Sequence, residues 1–244
     1  MRSINVVTID PSTACTGVCI NGALFCFSDR EYSTTKKGNL TKWFEIASDA
    51  CDVLLYDTPP NNTKNTKLSF SESEVYKLLK YDFITDKIID IISTNTDRKK
   101  ATKCLIEGYS YNSAAGNLID LVTYSTLLRH KLWKRGVCIN VIPPASLKLG
   151  AAKLTYPPKD IGKKKPKLEW RNKQGIAAGS FKKPEIYKVI TENPTLTDAW
   201  SELLRVYESH QLNATSISKP IDDINDSYVL YHSYMAGHLT PSPP

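Results

Sequence analysis

Apolar residues in this chain come in short runs that stop abruptly at polar ones. Ile4–Asp10 is rich in β-branched residues and ends on an aspartate before Pro11-Ser12-Thr13, so it reads as a strand followed by a turn. Thr16–Asn21 and Ala23–Ser28 read as two more strands, and Asn21-Gly22 between them is a strong hairpin signal. Leu40–Asp52 reads as a short helix or loop, and Asp52–Tyr56 as a strand. The Pro/Asn-rich stretch Thr58–Lys67 reads as a loop.

The period then lengthens. Between Ser71 and Ser93 the residues Val75, Leu78, Leu79, Phe83, Ile84, Ile88, Ile91 and Ile92 recur at helical spacing. Lys103–Glu107 is a short buried strand. Asn117–Arg135 is an amphipathic helix with Leu118, Leu121, Val122, Leu128 and Leu132 on one stripe, closed by Gly136. Val137–Ile142 is the next strand, stopped by Pro143-Pro144. From Lys148 to Lys183 lysines crowd together with proline and glycine, which predicts an inserted basic loop or hairpin outside the core. Pro184–Glu192, Asp198–His210 and Asp222–His238 read as helices, and residues 239–244 as a frayed Pro-rich tail. The sum is one α/β domain over residues 1–240, with three antiparallel strands, then parallel strands, and helices on both faces of the sheet.

Charge narrows the partners. The formal net charge of the 244 residues is +7, which suits a polyphosphate partner because Lys and Arg displace condensed counterions. The N-terminus has no basic, then apolar, leader, and no run approaches the roughly 18 apolar residues of a membrane span. Neither a signal peptide nor a membrane span is expected, and the cytoplasm is the expected compartment. The six cysteines form no C-x-x-C pair and are expected as free, buried thiols rather than a zinc site.

Four acidic residues sit at three places where an apolar element ends or begins. Asp10 closes the first strand, Glu107 closes the Lys103–Glu107 strand, and Asp223 and Asp226 open the last helix. Each has an ordinary reading on its own: an Asx-turn residue, a strand-end charge, and helix N-terminal charges. Together they have another. Carboxylates at buried strand ends are costly unless paired or bound to metal, and Mg²⁺ is held by a few carboxylates while keeping several waters. Asp223 and Asp226, three apart on a helix, share a face. Whether Asp222 or Asp223 is the ligand stays open at this level.

The stretch VVTIDPSTACTGVCI, with Asp10, Pro11, Ser12, Thr13, Thr16 and Gly17, resembles the first motif of RuvC-type Holliday-junction resolvases of the ribonuclease H-like superfamily. CLIEGYSYNSAAGNLIDL is similar to their second motif, and DINDSYVLYHSY to their last helix. Ser12 stands where the motif has Gly, and Ser227-Tyr228 where it has Ala-Leu. These departures and the enlarged basic segment suggest a divergent viral or phage member, acting in the host cytoplasm.

The resemblance implies a ribonuclease H-like mixed five-stranded sheet and a metal-dependent endodeoxyribonuclease that resolves branched DNA, leaving 5′-phosphate ends. It implies that Asp10, Glu107, Asp223 and Asp226 hold two Mg²⁺ ions, with Mn²⁺ as a substitute, and that Lys182 or Lys183 stabilises charge on the phosphate. Tyr109, Tyr111 and Asn112 are candidate contacts to an unpaired base. Lys148, Lys153, Lys163, Lys164, Lys165, Lys167 and Arg171 are candidate backbone contacts, and Trp170 either packs the basic segment or stacks on a base. The 117–135 helix is the expected homodimer contact. Alternatives are a nuclease of the same fold acting on flaps, forks or RNA–DNA hybrids, and an inactive DNA-binding scaffold. An actin-like ATPase is disfavoured by the length and the 11 glycines.

Overall fold

The three N-terminal apolar runs form β1 (Asn5–Asp10), β2 (Cys15–Ile20) and β3 (Ala23–Asp29), an antiparallel meander in the computed structural model. Both residues of the Asn21-Gly22 turn have positive φ, 52° and 96°, as the tight hairpin requires. The structure describes residues 4–34, 40–57, 69–109, 115–162, 167–212 and 217–239. Three parallel neighbours extend the meander: β4 (Asp52–Tyr56) beside β3, β5 (Thr102–Glu107) beside β1, and β6 (Cys138–Ile142) beside β5. The sheet order is β4-β3-β2-β1-β5-β6. This is the mixed sheet expected from the sequence, with six strands instead of five because β4 adds to the outer edge of β3.

Each strand sends alternate residues to opposite faces. Val7, Ile9, Val18, Ile20, Phe25, Phe27, Cys104 and Ile106 pack under α3 (Phe70–Asn95) and α4 (Ala115–Lys134), through Ile84, Ile88, Tyr124 and Leu128. Val6, Cys15, Cys19, Leu24, Cys26 and Leu105 face the other layer. That layer contains α2 (Leu40–Ala47), α5 (Pro144–Thr155), α6 (Lys183–Glu192), α7 (Ala199–Val206) and α9 (Ile221–Met235). A one-turn helix, α1 (Arg30–Ser33), follows β3. The predicted 198–210 helix divides at Tyr207 into α7 and α8 (Glu208–Leu212). α3 starts on a capping box, Ser69 with Glu72.

The basic segment needs correction at its start. Residues 148–155 are not an insertion but the body of α5, a core helix lying against α9. Leu147, Gly150, Ala151 and Ala152 are buried, and a Cβ on Gly150 would come within 3.1 Å of Leu239 and Ser233. Small residues let the two helices approach, while Lys148 and Lys153 of α5 stay half-buried. Beyond α5, β7 (Pro158–Asp160) pairs antiparallel with β8 (Leu168–Trp170). Among the described residues the cysteines are all free thiols, and only Cys138 is exposed. No described helix is long and apolar enough to cross a membrane.

Candidate metal centre

The alternation that builds the core also aims the acids. Val6, Thr8 and Asp10 lie on the α9 side of β1, and Thr8 Oγ1 donates to the Ser227 carbonyl of α9 at 2.7 Å. Leu105 and Glu107 lie on the same side of β5. The parallel register pairs Ile9 with Ile106, so Asp10 and Glu107 end up side by side at one edge of the sheet.

Helix α9 crosses this edge with its first turns. Gly17 is opposite Asp10 on β2, and a Cβ there would sit 2.2 Å from the Asp223 carbonyl oxygen. The helix backbone therefore rests directly on the strand, which only glycine permits. α9 is fixed further by the Trp200 indole, which donates to Asn225 Oδ1 at 3.0 Å, and by Tyr228, whose hydroxyl donates to Asp198 at 2.6 Å. The turn after Asp10 is held by Thr16 Oγ1, bonded to the Ser12 carbonyl at 2.9 Å and to the Tyr124 hydroxyl at 2.8 Å.

One carboxylate oxygen from each of Asp10, Glu107 and Asp226 lies within 4.8 Å of the others. Asp223, one turn earlier on α9, lines the same cleft of about 530 Å³, but Lys219 holds its Oδ1. Lys219 Nζ also lies 3.3 Å from Asp222 Oδ2, and Lys183 pairs with Asp226 Oδ2. Burial pushes the Asp10 carboxyl well above its ordinary value, and the charge of Glu107 adds to this. Burial, then Asp226, push Glu107 up to about 7. Burial, then Asp222, raise Asp223. Burial alone would lower Lys183 and Lys219, but the carboxylates around them hold both well above the usual lysine range.

The donor set suits a hard divalent cation. Asp226 Oδ1, Asp223 Oδ2 and Asp222 Oδ1 are buried and find no hydrogen-bond partner among the described residues. Crowded carboxylates with free lone pairs are what Mg²⁺ or Mn²⁺ satisfies.

A pH effect follows from the raised carboxyls. Between the unfolded value of Glu107, 4.5, and its folded value of about 7, the native state holds a proton that the unfolded chain has lost. Its stabilising effect is present below 4.5 and lost as pH rises through 7, and the raised Asp10 and Asp223 act in the same direction. The Tm of metal-free protein is expected to fall by several degrees from pH 5 to pH 8, with Mg²⁺ restoring most of it at pH 8. A thermal scan with EDTA and with Mg²⁺ checks this; equal pH slopes in both would remove the metal from the account.

The other sequence candidates divide three ways. Lys148, Lys182 and Lys183 line the cleft with Asp10 and Glu107, and Tyr109 stands beside them. Tyr109 is tied to α4, because Arg129 donates to its hydroxyl and lies 5.4 Å from its ring. Lys153 and Arg171 are engaged within the fold: Lys153 sits 4.9 Å over the Trp170 ring, and Arg171 binds Glu169 and the Gly175 carbonyl. Trp170 therefore packs the basic segment. Lys167 is exposed beside β8. Tyr111, Asn112, Lys163, Lys164 and Lys165 lie outside the described residues.

Lys219 is the site residue that the sequence reading missed. Its signal was its spacing, three and four residues before Asp222 and Asp223 at a helix start.

Neither a family model nor a curated protein matches the sequence. The solved structures that match its chain path include two of RuvC. Thermus thermophilus RuvC in complex with Holliday junction substrate is 9% identical, with TM-score 0.44, over 98% of this chain and 99% of that one. A second Thermus thermophilus RuvC structure is 12% identical, with TM-score 0.45, over the same shares. The chemistry of the cleft rests on this chain's own residues: three convergent carboxylates, two ammonium groups bound to their neighbours, and a lysine rim.

Proposed function

We propose that this chain is a Mg²⁺-dependent endonuclease that hydrolyses phosphodiesters in branched DNA, leaving 5′-phosphate ends. The observation that carries the reading is the trio Asp10, Glu107 and Asp226, its carboxylate oxygens within 4.8 Å of one another in a lysine-rimmed cleft. These three hold the cation, with Asp223 beside them. When bound, Mg²⁺, or Mn²⁺ in its place, supplies Lewis acidity toward water and the phosphodiester.

The rest falls to the chain itself. Lys183, already against Asp226, offers its ammonium group to the non-bridging oxygens, where negative charge grows in the transition state. Lys148 and the exposed Lys182 fix the strand by its phosphates. In this reading Lys163, Lys164, Lys165 and Lys167 are further contacts to the DNA backbone, and Tyr109, Tyr111 and Asn112 are contacts to bases at the branch. Glu185 accepts from the Lys182 backbone N–H at 2.7 Å, which fixes the start of α6 and hence the approach of both lysines. The preference for branched DNA is supported by the order of the sequence motifs around Asp10, Glu107 and Asp223/Asp226. Helix α4 leaves Ile119 and Trp133 63% and 67% exposed, which supports a homodimer through this helix.

The test sets a synthetic four-way junction beside linear duplex of the same sequence, each with Mg²⁺ and with EDTA. Cleavage of the junction alone, and only with Mg²⁺, is expected. Equal cutting of both substrates would leave a nuclease and remove the junction preference; no Mg²⁺-dependent cutting of any branched substrate would remove the activity. A monomer at micromolar concentration in sedimentation would remove the dimer.

A further inference from the structure

The two lysines in the acidic cleft are not equivalent. Lys183 reaches in from the start of α6 and binds one carboxylate, Asp226. Lys219, two residues before α9, binds two, Asp223 and Asp222, which are themselves adjacent and 2% and 8% exposed. Removing Lys183 from Asp226 exposes an oxygen of the trio to a cation that replaces the lost charge. Removing Lys219 would leave two neighbouring buried carboxylates facing each other without a counter-charge, which is far more costly. Asp223 is also absent from the set of oxygens that converge within 4.8 Å, because its carboxylate is turned to Lys219.

We propose that the Lys219 ammonium group, held by Asp222 and Asp223, permanently fills the position of a second cation, so that the centre binds one divalent ion per chain at Asp10, Glu107 and Asp226. The inference rests on the metal-centre reading above and fixes its stoichiometry at one ion, where the sequence resemblance implies two. It also divides the work of the lysines. Lys183 is displaced when the ion binds and becomes free for the phosphate. Lys219 stays, and by offsetting part of the charge at the start of α9 it weakens the repulsion of Asp223 toward both Asp10 and an incoming phosphate. Lys219 is thus a positioning residue.

The test counts ions instead of products. Mn²⁺ binding to the full chain, followed by calorimetry and by the loss of free Mn²⁺ signal in electron paramagnetic resonance, is expected to saturate at one ion in wild type. Lys219→Met is expected to bind two, because Asp222 and Asp223 are released to a second ion. Lys219→Arg keeps the charge and should stay at one. Lys183→Met should also stay at one, with affinity raised several-fold by the loss of a competing cation. Wild type that binds two ions overturns the proposal, whatever the folding of the variants, as does a folded Lys219→Met that binds only one. Wild type that binds none, or Asp10→Asn with undiminished Mn²⁺ affinity, overturns the metal centre itself.

Discussion

Asp10→Asn is expected to lower Mg²⁺-dependent cleavage of a four-way junction by about three orders of magnitude, while leaving the protein folded. A Lewis-acidic cation contributes several kcal/mol of transition-state charge stabilisation, and each ~1.4 kcal/mol is a factor of ten in rate. Asparagine keeps the shape of the side chain and offers an amide to Glu107 but removes the charge that the ion needs. The same change relieves an unfavourable contact in the metal-free protein, since burial and Glu107 both oppose ionisation of Asp10. Without metal at pH 8 the variant should therefore melt a few degrees above wild type. Loss of activity with a gain in stability distinguishes a ligand from a structural carboxylate. If Asp10→Asn cuts like wild type, the centre is wrongly assigned.

Gly17→Ala is expected to damage both the fold and the cleft. The new Cβ would lie 2.2 Å from the Asp223 carbonyl oxygen and 2.6 Å from its carbon, and both are backbone atoms that no rotamer change can move aside. Overpacking of this kind costs about 1–3 kcal/mol, which for a chain of this size is a fall in Tm of roughly 2–12 °C. The helix that must shift carries Asp223 and Asp226, and a misplacement of about 1 Å can cost on the order of 100-fold in rate. Cleavage measured well below the new Tm should fall by that order. Gly179→Ala, which would meet nothing within 4 Å, is the matched control. A Gly17→Ala protein with wild-type Tm would mean that α9 does not rest on β2.

Much of this centre was legible in the sequence because strands and acids obey the same alternation. Asp10 and Glu107 end two apolar runs, and a period of two puts each on a defined face once its neighbours are known to be buried. The parallel pairing that sets them side by side is a tertiary fact, invisible until β1 and β5 meet. The Asp223/Asp226 pair was visible from helical spacing, but its docking depends on the absence of a side chain at Gly17. α5 was misread because its lysines set the composition while its small residues, Gly150, Ala151 and Ala152, carry the packing. A close helix contact made by small residues has almost no hydrophobic signature. Lys219 escaped for a similar reason: a Lys-Pro pair ahead of a helix looks like a loop, and its meaning comes from the carboxylates that the helix brings to it.

The bond from Thr8 to the Ser227 carbonyl joins residues 219 positions apart in the chain. It spans nearly the whole chain around this centre, and contacts of such high sequence separation slow folding. A chain that has assembled the meander, β5 and the α3/α4 layer has Asp10 and Glu107 in place and still has no third carboxylate. Any form of the protein in which α9 is undocked therefore lacks the third of the three convergent carboxylates. On the proposed reading, α9 then acts as a safety catch: a form with this helix undocked has no complete metal centre.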